Sequence, residues 1–376
     1  MLPSPFSLSR LTLTNFRNHA DLRMELTPAP VVLTGLNGSG KTNILEAISL
    51  LVPGRGMCHA SVNEWQHNAH PEPWAVVADI AQSENGAERI ATGRDPENPE
   101  SERRIVLIDG RPVKSQQVLA EHVAMAWITP DMDRILGDGP SARRKFLDRM
   151  VYSFDPAHAG RVHRYEKALR ERLRLLRDGV ADAVWLAGLE DEMARTGVAI
   201  AAARLHLIQQ LQTAIADTQS VFPKADLALQ GMVEEGVATG PALLVEDRLR
   251  AALARTRSDD AQNGTCSVGP HRSDLIVVHR AQNCPAALCS TGEQKALLVA
   301  MVLAYVRILS HARDRMPLFL LDDITAHLDR VRREALFEEI LSMRVQGWLT
   351  GTDEAFFATL LPRASHFTVS HGRVVP

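Results

Sequence analysis

The sequence predicts an α/β protein in which a mixed-sheet head carries a P-loop and is interrupted by an inserted helical lobe. Three observations support this prediction. Short β-rich runs near the N-terminus return in the last third of the chain, and a Gly-rich Lys-Thr segment directly follows one of them. Between the N-terminal β-rich runs and those in the last third of the chain lies a long Ala/Leu/Arg-rich stretch with helical periodicity. We therefore expect the head to comprise residues 1–140 and 258–376, with the helical lobe at 141–257.

Composition and charge exclude several classes of protein. The 376 residues are 45% hydrophobic and carry a formal net charge of −3, so any nucleic-acid binding must come from a local patch. The four cysteines lack C-x-x-C spacing, which argues against structural zinc and against a disulfide framework. Without a signal pattern or an apolar run of about 20 residues, we expect a cytoplasmic protein with no membrane partner.

The head is expected to begin with short strands. Residues 11–14 and 31–34 are β-rich, and the run 105–108 followed by Asp109-Gly110 predicts a hairpin with a tight turn. The Pro-containing segment 95–100 predicts an exposed loop.

The rest of the chain alternates between helical and strand-like patterns. We expect helices at 161–177 and 183–221, a polar linker at 258–265, and strands at 275–278 and 318–321. An apolar helix is predicted between these two strands, at 294–311.

The segment Gly35-Leu36-Asn37-Gly38-Ser39-Gly40-Lys41-Thr42 has the spacing of a P-loop, and a helical pattern follows it at 43–51. Glycines let backbone N–H groups surround phosphate oxygens, and the helix N-terminus adds its positive end. In such a loop Lys41 contacts the β- and γ-phosphates, and the Thr42 hydroxyl is a ligand of Mg²⁺. We expect ATP and Mg²⁺ at this site.

A second motif is the apolar run 318–321, which ends in Asp322 and Asp323. A buried parallel strand that ends in an acid places that acid beside the P-loop, where Asp322 can hold Mg²⁺. Asp323 is then the candidate that orients or deprotonates the attacking water. A core strand ending in an Asp turn is common by itself, so this interpretation depends on the P-loop.

A third motif, Ser290-Thr-Gly292-Glu293-Gln-Lys295, directly precedes the apolar helix. Such a segment is either a helix cap or a second phosphate-binding helix end. Its position 32 residues before Asp322 matches the signature motif of ABC-type ATPases, and Leu328-Asp329 fits their D-loop. The motifs together predict an ABC-type ATPase head, in which the signature of one copy closes over ATP held by another.

Over essentially its full length the chain resembles the RecF family of bacterial repair ATPases, within the ABC/SMC-like class. The resemblance is carried by 13–18 (Leu-Thr-Asn-Phe-Arg-Asn), the P-loop with Asn43, Pro130-Asp131 with 139–148, Gly-Pro-His-Arg at 269–272, and the motifs at 290–295, 320–323 and 350–353. It implies that the nucleotide is contacted, besides the P-loop, by Arg17, Asn18, Asn43, Ser290, Gly292, Glu293 and Asp329.

The resemblance also implies a biological role. It implies a slow Mg-dependent ATPase that dimerises on ATP, binds DNA at single-strand gaps and helps to load RecA, with RecO and RecR as partners.

Asp323 stands where most ABC ATPases have Glu, which predicts slow turnover. No His follows the strand after the D-loop, so Thr352 or Asp353 is the candidate γ-phosphate sensor, and Gln66 lies where a Q-loop glutamine is expected.

One local patch can attract DNA. Between residues 143 and 177, eleven basic side chains face four acidic ones, and such a patch binds phosphate backbone without reading sequence. The candidate DNA contacts are Arg143, Arg144, Lys145, Arg164 and Lys167. A solvated helix face is an equally good interpretation, and His271 and Arg272 can be structural strand-end residues.

The alternative function is the energising subunit of an ABC transporter. That class requires a signature close to the P-loop in sequence and a surface for coupling to a membrane domain. Here Ser290 lies 248 positions after Thr42, and a helical lobe lies between them. The sequence therefore favours the repair ATPase.

Overall fold

The computed structural model describes residues 6–67, 69–70, 72–82, 86–98, 101, 103–179, 182–325 and 328–375. The chain divides into two compact units. The first contains the chain up to Asp133, Gln219–Phe222 and the chain from Val302, and the second contains Arg134–Thr218 and Pro223–Met301. These limits differ from the expected ones, because residues 258–301 cluster with the helical unit and not with the head.

The first unit is built mainly of strands. Its described strands are β1 (Phe6–Phe16), β2 (His19–Glu25), β3 (Val31–Thr34), β4 (Ala75–Gln82), β5 (Gly86–Arg94), β6 (Arg104–Ile108), β7 (Arg111–Pro112), β8 (Met125–Ile128), β12 (Leu318–Leu321), β13 (Gly347–Gly351), β14 (Ser365–Ser370) and β15 (Arg373–Val375). Its helices are α1 (Lys41–Ser49), α2 (Leu119–His122) and α10 (Arg330–Met343), with short 3-10 turns at Gln116–Val118, Glu354–Phe357 and Leu361–Arg363.

Two six-stranded sheets organise this unit. The first is antiparallel, in the order β2-β1-β4-β5-β6-β7. The second has the order β15-β14-β3-β13-β12-β8, and all of its strands except β15 run parallel. Every residue of the parallel strands β3, β8, β12 and β13 is buried, as expected of a parallel sheet that is covered on both faces. Parallel strands bring their carboxyl ends to one edge, where β3 leads into the P-loop and β12 into Asp322.

The predicted strands of this unit are confirmed. β3 and β12 coincide with the predicted runs 31–34 and 318–321. Asp109 (φ 48°) and Gly110 (φ 75°) form the tight turn between β6 and β7, because both residues adopt left-handed conformations that Asp and Gly tolerate. Of the predicted loop 95–100, residues 95–98 are irregular, and 99 and 100 lie outside the described residues.

The second unit is helical with a small sheet. Its elements are α3 (Pro140–Phe154), α4 (Ala157–Arg177), α5 (Ala183–Asp217), β9 (Ala225–Gln230), α6 (Met232–Thr239), α7 (Ala242–Arg255), α8 (Arg257–Asn263), β10 (Asp274–His279), β11 (Cys284–Pro285) and a 3-10 turn at Ala286–Leu288; another turn, Pro130–Arg134, leads into it. The three strands pair in the order β11-β10-β9. The predicted helical insertion is confirmed, and within it β9 interrupts the helices to pair with β10.

The predicted linker at 258–265 is wrong, because Arg257–Asn263 form the helix α8. Its Asp260 is buried and accepts a hydrogen bond from Arg172 on α4 at 2.8 Å. Arg172 is itself fully buried and donates at 3.0 Å to the buried Glu190 on α5. A buried charge is stable only when it is paired and hydrogen-bonded, and this network fixes the polar segment as a helix.

One helix passes from the second unit into the first. Among the described residues, only α9 (Thr291–Arg313) is long and apolar enough to cross a membrane. Its most apolar 18-residue window has a mean hydropathy of 1.5, and 72% of that window is buried inside the protein, as in a core helix. The predicted helix at 294–311 lies within it.

Candidate active site

The P-loop turn requires glycine at two positions. Gly35 has φ 145° and Gly40 has φ 114°, both in the region that side chains avoid. A Cβ atom on Gly35 would lie 2.2 Å from the Val369 carbonyl oxygen of β14. On Gly40, a Cβ would lie 2.6–2.7 Å from polar atoms of Asn18 and His19. The loop is therefore held between the β1–β2 turn and β14.

Lys41 is folded back onto the loop. Its Nζ donates hydrogen bonds to the carbonyl oxygens of Gly35 at 2.7 Å and Leu36 at 2.9 Å. Burial lowers the pKa of Lys41, and the nearby Asp323 and Asp322 carboxylates partly oppose this shift. Among the described residues, no carboxylate forms an ion pair with this ammonium group, which is held by two neutral carbonyls and so is available for a phosphate.

A hydroxyl–carboxylate cluster lies next to Lys41. Thr42 Oγ1 donates to Asp322 Oδ1 at 3.0 Å, and Thr350 Oγ1 donates to the same oxygen at 2.8 Å. Thr350 in turn accepts a hydrogen bond from the backbone N–H of Asp323 at 2.7 Å. Burial raises the pKa of Asp322, since it stabilises the neutral acid. A divalent cation would reverse this shift, because its charge favours the ionised carboxylate.

These groups line one cavity of about 210 Å³ in the first unit. It is lined by Asn37, Gly38, Gly40, Lys41, Thr42, Asn43, Pro130, Asp322, Asp323 and Thr350. Its donor set of hydroxyl and carboxylate oxygens suits Mg²⁺, which accepts a few protein oxygens together with phosphate oxygens and water. Ser39 Oγ, at the centre of the P-loop, is buried and has no hydrogen-bond partner among the described residues. An unsatisfied buried hydroxyl fits a site that is completed by a phosphate oxygen.

Arg17 and Glu46 form an ion pair beside the loop. Arg17 Nε and Nη2 donate to the Glu46 carboxylate at 2.9 and 2.8 Å, and Trp65 Nε1 donates to the same carboxylate at 2.9 Å. Glu46 on α1 is 1% exposed, and its hydrogen bond raises the pKa of Arg17. The side chain of Arg17, a predicted nucleotide contact, is thus held by the buried carboxylate of Glu46. The sequence alone did not predict this role for Glu46.

Asn18 and Asn43 support the loop from outside. Asn18 Nδ2 donates to the Ser39 carbonyl at 3.0 Å, and Asn43 Nδ2 donates to Asn18 Oδ1 at 2.7 Å. The Ser39 carbonyl also accepts the Gly372 N–H at 3.2 Å, from the turn between β14 and β15. Asn18 therefore positions the P-loop in this structure, whereas Asn43 also lines the cavity.

The predicted signature segment belongs to the second unit. Ser290 is exposed before α9 and forms a capping box with Glu293: Ser290 N–H donates to the carboxylate at 3.2 Å, and the Glu293 N–H donates to Ser290 Oγ at 3.4 Å. The hydrogen bond from Gln282, together with those from the Ser290 N–H and hydroxyl to the same carboxylate, lowers the pKa of Glu293. Glu293 thus has a structural role in this structure, while Gly292 is half-buried with open space at its Cα.

Two other predicted residues also act as helix caps. Asp329 accepts the Arg332 N–H at 2.9 Å and begins α10. Asp353 accepts the Ala355 N–H at 2.8 Å and begins a 3-10 turn. Both Thr352 and Asp353 are exposed, and neither lines the cavity.

The sequence assigns no role to Thr350, although Thr350 belongs to the 350–353 motif and donates a hydrogen bond to Asp322 at the cavity. It lies on β13, between β3 and β12 in the parallel sheet. The available signal was the polar residue near the carboxyl end of a buried strand, where parallel sheets place their sites. Gln66, the suggested Q-loop residue, donates instead to the backbone carbonyls of His70 and Glu72, and it is not among the cavity-lining residues.

The basic segment 143–177 divides into internal and exposed residues. Arg143 donates to both Asp274 oxygens at 2.8 and 2.7 Å, and Arg144 donates to the Ser273 carbonyl at 2.6 Å. These two half-buried arginines therefore serve the fold of the second unit. Lys145, Arg164 and Lys167 remain exposed to solvent.

The Gly-Pro-His-Arg segment has structural partners. His271 Nδ1 lies 2.6 Å from Tyr165 Oη, and its Nε2 lies 3.0 Å from the Cys266 carbonyl. Arg272 Nε donates to the same carbonyl at 2.8 Å. Burial lowers the pKa of His271, so the neutral ring is favoured. All of these contacts join His271 and Arg272 to other residues of the second unit, which agrees with a structural role for both residues.

Comparison with known proteins identifies the family. The model of the RecF/RecN/SMC N-terminal domain matches residues 7–359. The DNA replication and repair protein RecF of Mesorhizobium japonicum is 46% identical over 379 residues, covering 100% of this chain and 99% of that protein. The chain belongs to the RecF family. RecF of Brucella abortus is 43% identical over 99% of this chain and 97% of that protein.

Solved structures support the same fold. A RecF structure titled as the ATPrS form in the RecFOR pathway superposes with a TM-score of 0.85 at 23% identity, covering 99% of this chain and 98% of that one. The Smc head domain of Pyrococcus furiosus superposes with a TM-score of 0.55 at 15% identity, over 98% of this chain and 96% of that one. This RecF-family chain therefore has the ABC/SMC-type ATPase-head fold with a helical insertion.

Proposed function

We propose that this RecF-family chain is a slow Mg²⁺-dependent ATPase that dimerises on ATP and binds DNA at single-strand gaps in replication and repair. The observation that carries the proposal is the cavity where Lys41, Thr42, Asp322 and Thr350 meet at the carboxyl ends of β3, β12 and β13. From the family, we also propose that RecO and RecR are partners and that the protein helps to load RecA. We propose a cytoplasmic location on the same basis.

The residues divide the chemistry among them. P-loop N–H groups and the α1 N-terminus bind the phosphates, and the Lys41 ammonium exchanges two carbonyl oxygens for β- and γ-phosphate oxygens. Thr42 and Asp322 are the residues that would hold Mg²⁺, which would neutralise charge on the phosphates. Asp323 is exposed at the cavity and is the proposed base for water.

The proposed dimer completes the site with a second copy. Leu36 in the P-loop is 81% exposed and Leu288, two residues before Ser290, is 76% exposed. Exposed leucines that flank both nucleotide motifs suit a surface covered by another protein. In this proposal the Ser290 segment of one copy meets ATP on the P-loop of the other. The transporter alternative has no supporting observation, because the family comparison matches repair proteins over the full chain.

The proposed DNA interface is narrower than the predicted patch. On α4, the exposed residues Lys167, Arg170, Arg174 and Arg177 follow the 3- and 4-residue spacing that places them on one helix face. We call this row the α4 stripe. Lys145 and Arg164 are further exposed candidates, whereas Arg143 and Arg144 are engaged internally.

Light scattering of the full chain with Mg·ATP or ADP, each with and without a gapped duplex, tests the proposal. We expect a dimer with ATP alone and an ATP-dependent complex with DNA that weakens with salt. Lys41→Ala removes the phosphate-pairing charge, so it should abolish the ATP-dependent dimer. A chain that stays monomeric and ignores DNA in every state would overturn the shared site and the repair role.

A charge-reversal pair separates the DNA contacts from general charge effects. Lys167→Glu with Arg174→Glu should reduce the slope of log affinity against log salt by about two, since each lost phosphate contact contributes about 0.9. The matched control is Arg248→Glu with Arg255→Glu, which makes the same charge change at the same spacing on exposed positions of α7. Equal effects of the two pairs would contradict a role for the α4 stripe.

A further inference from the structure

A buried histidine contacts the P-loop and a distant hairpin at once. His19, the first residue of β2, is fully buried. Its Nε2 lies 3.1 Å from the Gly40 carbonyl oxygen, and its Nδ1 lies 2.8 Å from the Gly372 carbonyl oxygen. Gly40 precedes α1, and Gly372 lies in the turn between β14 and β15, so one ring links the phosphate-binding loop to that hairpin.

The two contacts require two protons. A neutral imidazole carries one N–H, whereas a carbonyl oxygen can only accept a hydrogen bond. In either neutral tautomer, one nitrogen lone pair would face a carbonyl oxygen at 2.8 or 3.1 Å. The Gly40 oxygen already accepts the Ile44 N–H at 3.2 Å, so it has a donor without His19. Only a doubly protonated ring makes both contacts attractive.

We propose that His19 is an imidazolium that positions the P-loop and adds a positive charge next to Gly40. The consequence for nucleotide rests on the proposed function: phosphate in the loop favours the protonated ring, and the protonated ring favours phosphate. Binding of ATP and retention of the second proton are then coupled, since each stabilises the other. His19 is a positioning residue, because it acts through the Gly40 carbonyl.

The surrounding charges are mixed. The charged or titratable groups on the elements packed around His19 are Arg17 in the β1–β2 turn, Lys41 and Glu46 on α1, His371 and Arg373 beside Gly372, and His67 in the segment after Trp65. Burial lowers the pKa of His67, with smaller contributions from His70 and His19. Arg17 is neutralised by Glu46, so the cations that oppose the second proton are Lys41, Arg373 and any charged neighbouring histidine. The two carbonyl oxygens, and phosphate when bound, favour it.

The direct test is NMR of the full chain labelled with ¹⁵N and ¹³C in its histidines. Through-bond correlation to the backbone identifies the His19 ring, and the two ring-nitrogen shifts report whether each carries a proton. We expect both nitrogens to be protonated in the nucleotide-free chain at about pH 7. A spectrum in which His19 carries a single ring proton under these conditions overturns the proposal.

A second test compares ATP affinities at about pH 7. His19→Gln keeps one donor without the positive charge and should bind ATP about threefold or more weakly than the wild type, because the charge that favours phosphate is lost. His67→Gln is the matched control and should keep the wild-type affinity.

The two tests separate the inference from the function on which it rests. If the wild-type chain binds no ATP at any pH, the proposed function fails while the NMR result still decides the state of His19. If ATP binds and His19→Gln keeps the wild-type affinity, the coupling is wrong and the nucleotide site stands. If His19→Gln does not fold, the wild-type NMR measurement remains decisive.

Discussion

At the scale of single residues, Asp323 occupies an unusual backbone conformation. Its φ of 47° is left-handed, which Asp adopts more readily than Glu. Its N–H is fixed by Thr350, and its side chain lies exposed at the cavity. This backbone requirement offers a physical reason for the shorter acid at a position where ABC ATPases usually carry Glu.

Asp323→Asn should stop hydrolysis while keeping ATP bound. Loss of the base should lower the hydrolysis rate by about 100-fold or more, and the ATP-dependent dimer should persist. Single-turnover hydrolysis and light scattering on the same sample measure the two effects. Asp323→Glu is the control: it keeps the carboxylate and changes only its reach and the backbone preference, so it should lose much less hydrolysis than Asp323→Asn. Unchanged hydrolysis in Asp323→Asn would show that another group activates the water.

At the scale of elements, Arg104 of β6 caps the C-terminal end of α1. It donates to the carbonyl of Leu50 just after that helix, to Val52 at 2.7 Å, and to Thr92 Oγ1 at 2.9 Å. Burial lowers the pKa of Arg104 to about 10. The guanidinium satisfies carbonyls that a helix end leaves without partners, and its positive charge complements the helix dipole. It therefore fixes the helix that follows the P-loop.

Arg104→Met should lower the free energy of unfolding by about 2 kcal/mol, because several carbonyls lose their donor. Urea denaturation followed by circular dichroism measures the change. The neighbouring Arg103 is exposed, so Arg103→Met is the matched control and should change stability by less than about 0.5 kcal/mol. Similar losses in both variants would show that Arg104 does not act as a cap.

Elements with local signals could be predicted from the sequence, and those defined by partners could not. Residues 31–34 and the Asp109-Gly110 turn carry their own β and turn chemistry, so they were predicted correctly. β9 lies among helical patterns and exists because β10 pairs with it. Likewise α8 depends on Arg172, whose partners are distant in sequence. The P-loop and Asp322 were found by spacing, whereas Thr350, Glu46 and His19 are recognised only once the chain is folded.

At the scale of the whole molecule, the proposed shared site makes activity depend on pairing. Lys41 lies in the first unit and Ser290 in the second. In the proposed dimer, each ATP needs the P-loop of one chain and the Ser290 segment of another. Specific ATPase activity should then rise with protein concentration, since dimers form by mass action.

Mixing two inactive variants tests this dependence. Lys41→Ala and Ser290→Arg should each be inactive alone, because each lacks one half of every site. An equal mixture should recover activity, at most about half of the wild-type value, because a mixed dimer holds one intact site out of two and ATP in that site can hold the pair together. Steady-state ATPase assays at matched total protein measure it. Lys41→Ala mixed with Asp322→Ala, two changes in the same unit, is the control that should recover nothing.

The order of strands around the P-loop bears on how the protein is made. β3 lies between β13 and β14, which begin only at Gly347 and Ser365. A ribosome adding about 5–20 residues per second reaches them about 15–60 s after β3. Throughout that interval the nascent chain displays β3 with both edges open, as a target for chaperones or for a wrong partner strand. The nucleotide pocket is therefore among the last parts of the molecule that synthesis can complete.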